Sequence, residues 1–241
     1  MEWSGQAIVL GAKRHGEGHA VLDVLSEREG RARGYVRGGG SRKQRPVLEA
    51  GNIVAVRWRG RLDEHLGTFK VEPVKAIAPH LYRFPSRLAG LAAFAELLGA
   101  VLPERDPCPE IYSESLNLLD RLTSLEEDDV VWGAEMVKLE AMLLARLGFG
   151  LDLASCAASG KKENLAFVSP NTGRAVTAEA GAPYAEKLLP LPAFLTGRHA
   201  PTRAGVRQGF ALTGFFISRH LLHEPKPTLE AARARMADYF A

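Results

Sequence analysis

Apolar residues recur at every second position through the first third of this 241-residue chain and at every third or fourth position beyond it. A period of two sends alternate side chains to opposite faces of a strand. Spacings of three and four draw a single stripe along a helix. The change near residue 80 therefore predicts a β-rich part over residues 1–80 and a helical part over residues 81–241.

Within the first part, Ala7 to Arg14, Ala20 to Leu25, Arg31 to Arg37, Asn52 to Arg59 and Gly67 to Val71 read as short strands. His15-Gly-Glu-Gly and Glu29-Gly30 supply turns between them. Pro73 restricts the last strand to an edge or a bulge. Five short strands with glycine at the bends suggest a small closed sheet of the OB type. Val54, Val56 and Trp58 share one face, which assigns Trp58 to the core, and Phe69 with Val71 point inward opposite Thr68 and Lys70.

Charge is distributed as unevenly as periodicity. Residues 1–80 hold 14 Lys/Arg against 9 Asp/Glu, whereas residues 81–241 hold 17 against 19. Between Arg28 and Pro46 seven basic residues stand against the single acid Glu29. A cluster of that density repels itself and implies a polyanionic partner. Arg31, Arg33, Tyr35 and Arg37 alternate with small residues, so three guanidinium groups and one aromatic ring share a strand face. Gly38-Gly39-Gly40 and the following Arg42, Lys43 and Arg45 read as a mobile basic loop. Arg57, Arg59 and Arg61 extend the candidates to a neighbouring strand. Basic groups that track a backbone, with an aromatic available for stacking, suit single-stranded nucleic acid.

Beyond residue 80, Leu81, Phe84, Leu88, Leu91, Ala95, Leu98 and Leu102 form one helical stripe, with Pro85 in the first turn. Ile111 to Leu125 predicts a second helix. Trp132, Met136, Leu139, Leu143 and Leu147 predict a third, introduced by the acidic run 126–129. Residues 151–192 interrupt this texture as a small insertion, in which Leu165 to Val168 and Arg174 to Val176 suggest a hairpin. Helical spacing returns at Val206, Phe210, Phe216, Ile217 and Leu221, and again at Leu229, Ala232, Met236 and Tyr239. The expected fold class is α+β: a five-stranded OB-type barrel, then a helical domain with an irregular insertion.

Signals for enzyme chemistry are weak. His15-Gly-Glu-Gly-His19 lies in a turn, whereas the zincin pattern needs a helix to bring both imidazoles to one metal, so solvated histidines are expected. His220 and His223 lack a third ligand. No nucleotide-binding loop or nucleophile elbow occurs. No segment approaches the ~20 apolar residues that span a bilayer. The N-terminal residues lack the pattern of a signal peptide. Two distant cysteines, Cys108 and Cys156, suggest a reducing, cytoplasmic setting. A nucleic-acid-binding module is therefore expected, with an OB-fold RNA binder, a scaffold and a metal-dependent nuclease as alternatives.

Several stretches together resemble the bacterial recombination mediator family RecO. They are Gln6 to Glu17, the Leu25-Ser-Glu-Arg-Glu-Gly-Arg31 turn, the Val36-Arg-Gly-Gly-Gly-Ser-Arg42 loop, Leu147 to Cys156, and Phe167 to Gly173. The resemblance spans nearly the full length. It implies a non-enzymatic DNA-repair protein, located in the cytoplasm at the nucleoid, that binds single- and double-stranded DNA and promotes annealing. It further implies cooperation with RecR in loading RecA onto coated DNA, and docking of the C-terminal tail of single-strand-binding protein on the helical domain. Many members carry a four-cysteine zinc site after the third helix. Here only Cys156 stands where it would begin, so a version without metal or cofactor is expected.

Overall fold

The structure is a computed structural model that describes residues 1–60, 66–124 and 126–241. Its packing divides into two units, Met1–Leu125 with Pro227–Arg233, and Glu126–Lys226 with Ala234–Ala241.

In the first unit β1 (Glu2–His15), β2 (His19–Ser26), β3 (Gly30–Val36), β4 (Ile53–Arg59) and β5 (Gly67–Lys75) close a barrel in the order β1-β2-β3-β5-β4. All neighbours run antiparallel except β3 and β5, which meet in parallel at only Gly34–Gly67 and Tyr35–Thr68. The fold is therefore the OB-type barrel expected. Strand β1 serves two partners: residues 2–8 pair with β4 and residues 7–15 with β2, with a bulge between Val9 and Gly11. Bulges bend a strand and increase its twist, and here the bend lets one strand close both sides of the barrel. Pro73 in β5 stands opposite Val54, beside the irregular register at Ile53 and Val54.

The period-two pattern fills the interior. Ala7, Val9, Leu22, Val24, Val54, Val56, Trp58 and Phe69 are buried there together. Trp58 is the largest of them, and a Cβ on Gly67 would lie 2.2 Å from its ring, so the β5 backbone can pass the indole only as glycine. Buried Asn52 ties the barrel to the segment after β5. Its Nδ2 donates to Pro46 O at 2.8 Å, and its Oδ1 accepts from Ile77 N at 2.7 Å.

Besides Pro227–Arg233 of the last helix, this unit holds three helices: α1 (Ala78–Leu81), α2 (Pro85–Val101) and α3 (Pro109–Thr123). Pro85 opens α2, where a missing N–H costs nothing. Leu88, placed on the buried stripe by spacing, is instead 36% exposed. The buried row of α2 includes Arg87, whose aliphatic stem shares the core while Nη1 donates to Leu122 O at 3.0 Å and Ser124 O at 2.8 Å. A cation on the closing carbonyls of α3 satisfies acceptors that a helix leaves open and suits its dipole.

In the second unit α4 (Asp129–Arg146) is capped by Asp128, which accepts from Val130 N at 2.8 Å. It packs on α6 (Arg203–His220) closely enough that a Cβ on Gly209 would meet Val137 at 2.7 Å. The insertion folds the expected hairpin as β6 (Leu165–Val168) and β7 (Ala175–Thr177), followed by the single turn α5 (Ala178–Gly181). A third strand, β8 (Leu189–Pro190), adds to β6 and had no periodic signal to announce it. The last helix, α7 (Pro227–Asp238), ends before Phe240, and this ring packs edge-on against Trp132. Tyr239, which spacing placed in the core, is 42% exposed. Its neighbour Phe240 is the buried one.

Candidate nucleic-acid interface

Outward-facing residues of the barrel line up across strands. Register places Tyr35 of β3 opposite Thr68 of β5, Thr68 opposite Arg59 of β4, and Arg59 opposite Glu2 of β1. A second row puts Lys70 of β5 opposite Arg57 of β4, and Arg57 opposite Ser4 of β1. Directly opposed residues stand about 5 Å apart, so these rows are contiguous surface. Of these, Glu2, Arg57, Arg59, Thr68 and Lys70 line an open groove of about 590 Å³ with Arg37 and Gln44. Lys70, Arg57, Arg59 and Arg37 are all exposed.

Among the described residues that line the groove, the carboxylate belongs to Glu2. It lies 3.2 Å from Arg59 Nη2 and 3.9 Å from Arg57 Nε. Among the described residues, no acid pairs with Lys70 or Arg37. Arg57 and Lys70 are like charges directly opposed on one face, which destabilises a sheet.

The strand β3 that drew attention in the sequence has a divided role. Its face alternates as expected, with Ala32, Gly34 and Val36 buried between Arg31, Arg33 and Tyr35. Arg31, however, is engaged inside the unit. Its Nε and Nη2 grip Asp23 on β2, the shorter contact being 2.6 Å, and its Nη1 donates to Leu102 O at 3.0 Å. Burial pushes the Asp23 carboxyl above its ordinary value, and the Arg31 bonds pull it back only in part. Arg33 reaches Glu104 at 2.5 Å. The segment after α2 supplies these partners because it runs beside β3: Arg105 N donates to Arg31 O at 2.8 Å, and the Arg105 guanidinium caps the Trp58 ring at 4.1 Å. Tyr35 is half-buried between two imidazoles, edge-on to His15 at 5.6 Å and tilted to His19 at 5.1 Å. The histidines expected to be solvated thus pack on the proposed stacking ring.

The basic loop, expected to be mobile, is built as a chain of hydrogen-bonded turns. Gly40 N donates to Gly18 O at the β1–β2 hairpin tip at 3.1 Å, Gly38 N donates to His19 Nδ1 at 3.1 Å, and Arg45 N donates to Ser41 O at 2.9 Å. Each glycine has its reason. Gly38 has φ +69°, a Cβ on Gly39 would strike Ala20 at 2.8 Å, and one on Gly40 would press on Gly18 at 3.3 Å. Arg42, Lys43 and Arg45 project from this scaffold, exposed and without an acidic partner among the described residues. Arg61 lies outside the described residues.

Sequence reasoning missed Lys70, Glu2 and Thr68 as groove residues. Alternation along β5 already turned Lys70 outward, but only the strand order sets it across from Arg57. Where a zinc site would begin, Cys156 is buried and accepts from Thr177 N at 3.3 Å. Burial pushes its thiol up, but bonds from Ser159 and Thr177 outweigh that and lower it to about 6. Among the described residues no three His, Cys, Asp or Glu side chains gather as a metal site, and no helix is long and apolar enough to cross a membrane.

Five strands closed in this order, with basic rows on the outside, define the class: an OB-barrel protein with appended helices. Residues 1–77 match the family described as recombination protein O N terminal, and residues 85–230 match recombination protein O C terminal. Relatives called DNA repair protein RecO are 48% identical over 229 residues in Methylobacterium nodulans, covering 92% of this chain and 91% of the relative. The one from Rhodospirillum centenum is 47% identical over 242 residues, covering 100% of this chain and 95% of the relative. The chain belongs to the recombination protein O family, and that membership places it in DNA repair and recombination.

Proposed function

We propose that the chain is a non-enzymatic recombination mediator of the cytoplasm that holds DNA on the outer rows of its barrel. The observation that carries this reading is the opposition of Arg57 and Lys70 on one exposed face. Like charges directly opposed on a sheet are a cost to the fold that Glu2, beside Arg57 at 3.9 Å, offsets only in part, and a polyanion relieves it. Phosphates of a single strand would sit along Arg57, Arg59, Lys70 and Arg37, with Arg42, Lys43 and Arg45 extending the track. Tyr35, in register with Thr68, would stack a base. Arg31 and Arg33 support this surface through their acidic partners. Arg61 joins the proposal by its position after β4 alone.

Residues 1–80 would thus carry DNA, single- or double-stranded, and residues 81–241 would meet protein partners. Family membership supports RecR and the tail of single-strand-binding protein as those partners, with loading of RecA as the outcome. Fluorescence anisotropy of labelled oligodeoxythymidylate tests the groove. Arg57→Ala with Lys70→Ala is expected to weaken binding about tenfold or more, two charge-assisted contacts being lost. Unchanged affinity would remove the groove from the account.

A further inference from the structure

Resting on the groove reading, we propose that Glu2 is an internal occupant of one phosphate seat, exchanged for a DNA phosphate on binding. Three observations converge. Register fixes Glu2 opposite Arg59 and two residues from Ser4, which stands opposite Arg57. Its two carboxylate oxygens are divided between the guanidinium groups, Oε2 at 3.2 Å from Arg59 Nη2 and Oε1 at 3.9 Å from Arg57 Nε. A phosphodiester presents two free oxygens to two arginines in the same way. Meanwhile Lys70, one strand away, holds no acid among the described residues, so the groove is only partly self-neutralised.

The pair is built to be displaced. All three side chains are at least 45% exposed, and ion pairs in solvent contribute little to stability. Backbone pairing of β1 with β4 keeps Glu2 at its post whether or not the carboxylate is engaged. A single small anion gains little by replacing a tethered carboxylate. A strand that also reaches Lys70 and Arg37 gains the contacts that Glu2 does not make, so the exchange favours a chain of phosphates over an isolated one.

The experiment measures anisotropy of fluorescein-labelled oligodeoxythymidylate with wild type, Glu2→Gln, Glu2→Ala, the double variant Arg57→Ala/Arg59→Ala, and that double variant carrying Glu2→Gln. Thermal melts check that each is folded. Both Glu2 variants are expected to bind about threefold to tenfold more tightly, the loss of a competitor worth roughly 1 kcal/mol. The gain should vanish on the Arg57→Ala/Arg59→Ala background. Unchanged or weaker binding by Glu2→Gln and Glu2→Ala overturns the proposal and leaves the groove standing. A gain that survives without the two arginines also overturns it, since general charge would then suffice. Should Arg57→Ala/Arg59→Ala bind like wild type, the groove reading fails and takes this proposal with it.

Discussion

Arg31 and Arg37 are six residues apart on one face of one strand and its continuation, yet their surroundings separate them. Arg31 has a partner on each of its three guanidinium nitrogens, and Arg37 projects into an open groove. Removing Arg31 leaves the part-buried Asp23 carboxylate and Leu102 O without donors. Arg31→Ala should therefore cost about 1–3 kcal/mol of stability, read as a lower melting temperature. Arg37→Ala should melt like wild type and bind DNA more weakly. Equal stability losses from the two would refute this division. Alternation alone sufficed to place both arginines outward, and it also placed Trp58 inward. What alternation could not supply were the partners. Asp23 is 8 residues from Arg31 and Leu102 is 71, and distance along the chain carries no hint of such contacts. Lys70 was overlooked for the same reason: its significance comes from Arg57 on the next strand.

Elements announced by strong periodicity or by proline formed where expected. Strand β3 alternates without a break, and α2 starts at Pro85. The failures have physical causes. Helix α2 is apolar nearly all round, so spacing chose Leu88 for the core when the helix turns it outward. Two residues of β8 are too few to show a period, and the Gly38-Gly39-Gly40 run reads as slack when each glycine satisfies a packing or backbone demand. The insertion offers a test of its own. Cys156 anchors a turn through Gly160 N to Cys156 O at 2.9 Å and faces Thr177 at the end of β7. Its folded thiol ionises near 6, against an ordinary 9.0. A depressed value means stability that is fully present above about pH 9 and lost as pH falls through 6. The melting-temperature advantage of wild type over Cys156→Ser should widen as pH rises through that window. A constant difference would exclude the thiolate.

At the scale of the molecule, the excess of positive charge lies in residues 1–80, the same span that builds the barrel. Association with single strands should weaken with salt, the logarithm of affinity falling about 0.7 per phosphate contacted for each log unit of salt. For Arg37, Arg57, Arg59 and Lys70 acting together the slope should approach roughly −3, and losing Arg57 and Lys70 should flatten it by about 1.4. A titration from low to high salt with both proteins measures this, and an unaltered slope would place the contacts elsewhere. The anchored loop bears on how fast such contacts form. With Gly38 and Gly40 already bonded to His19 and Gly18, Arg42, Lys43 and Arg45 stand on a backbone with little freedom left to lose when a strand arrives. On the proposed DNA-binding reading, capture would then be set by encounter, which the positive field accelerates, rather than by a wait for a loop to close.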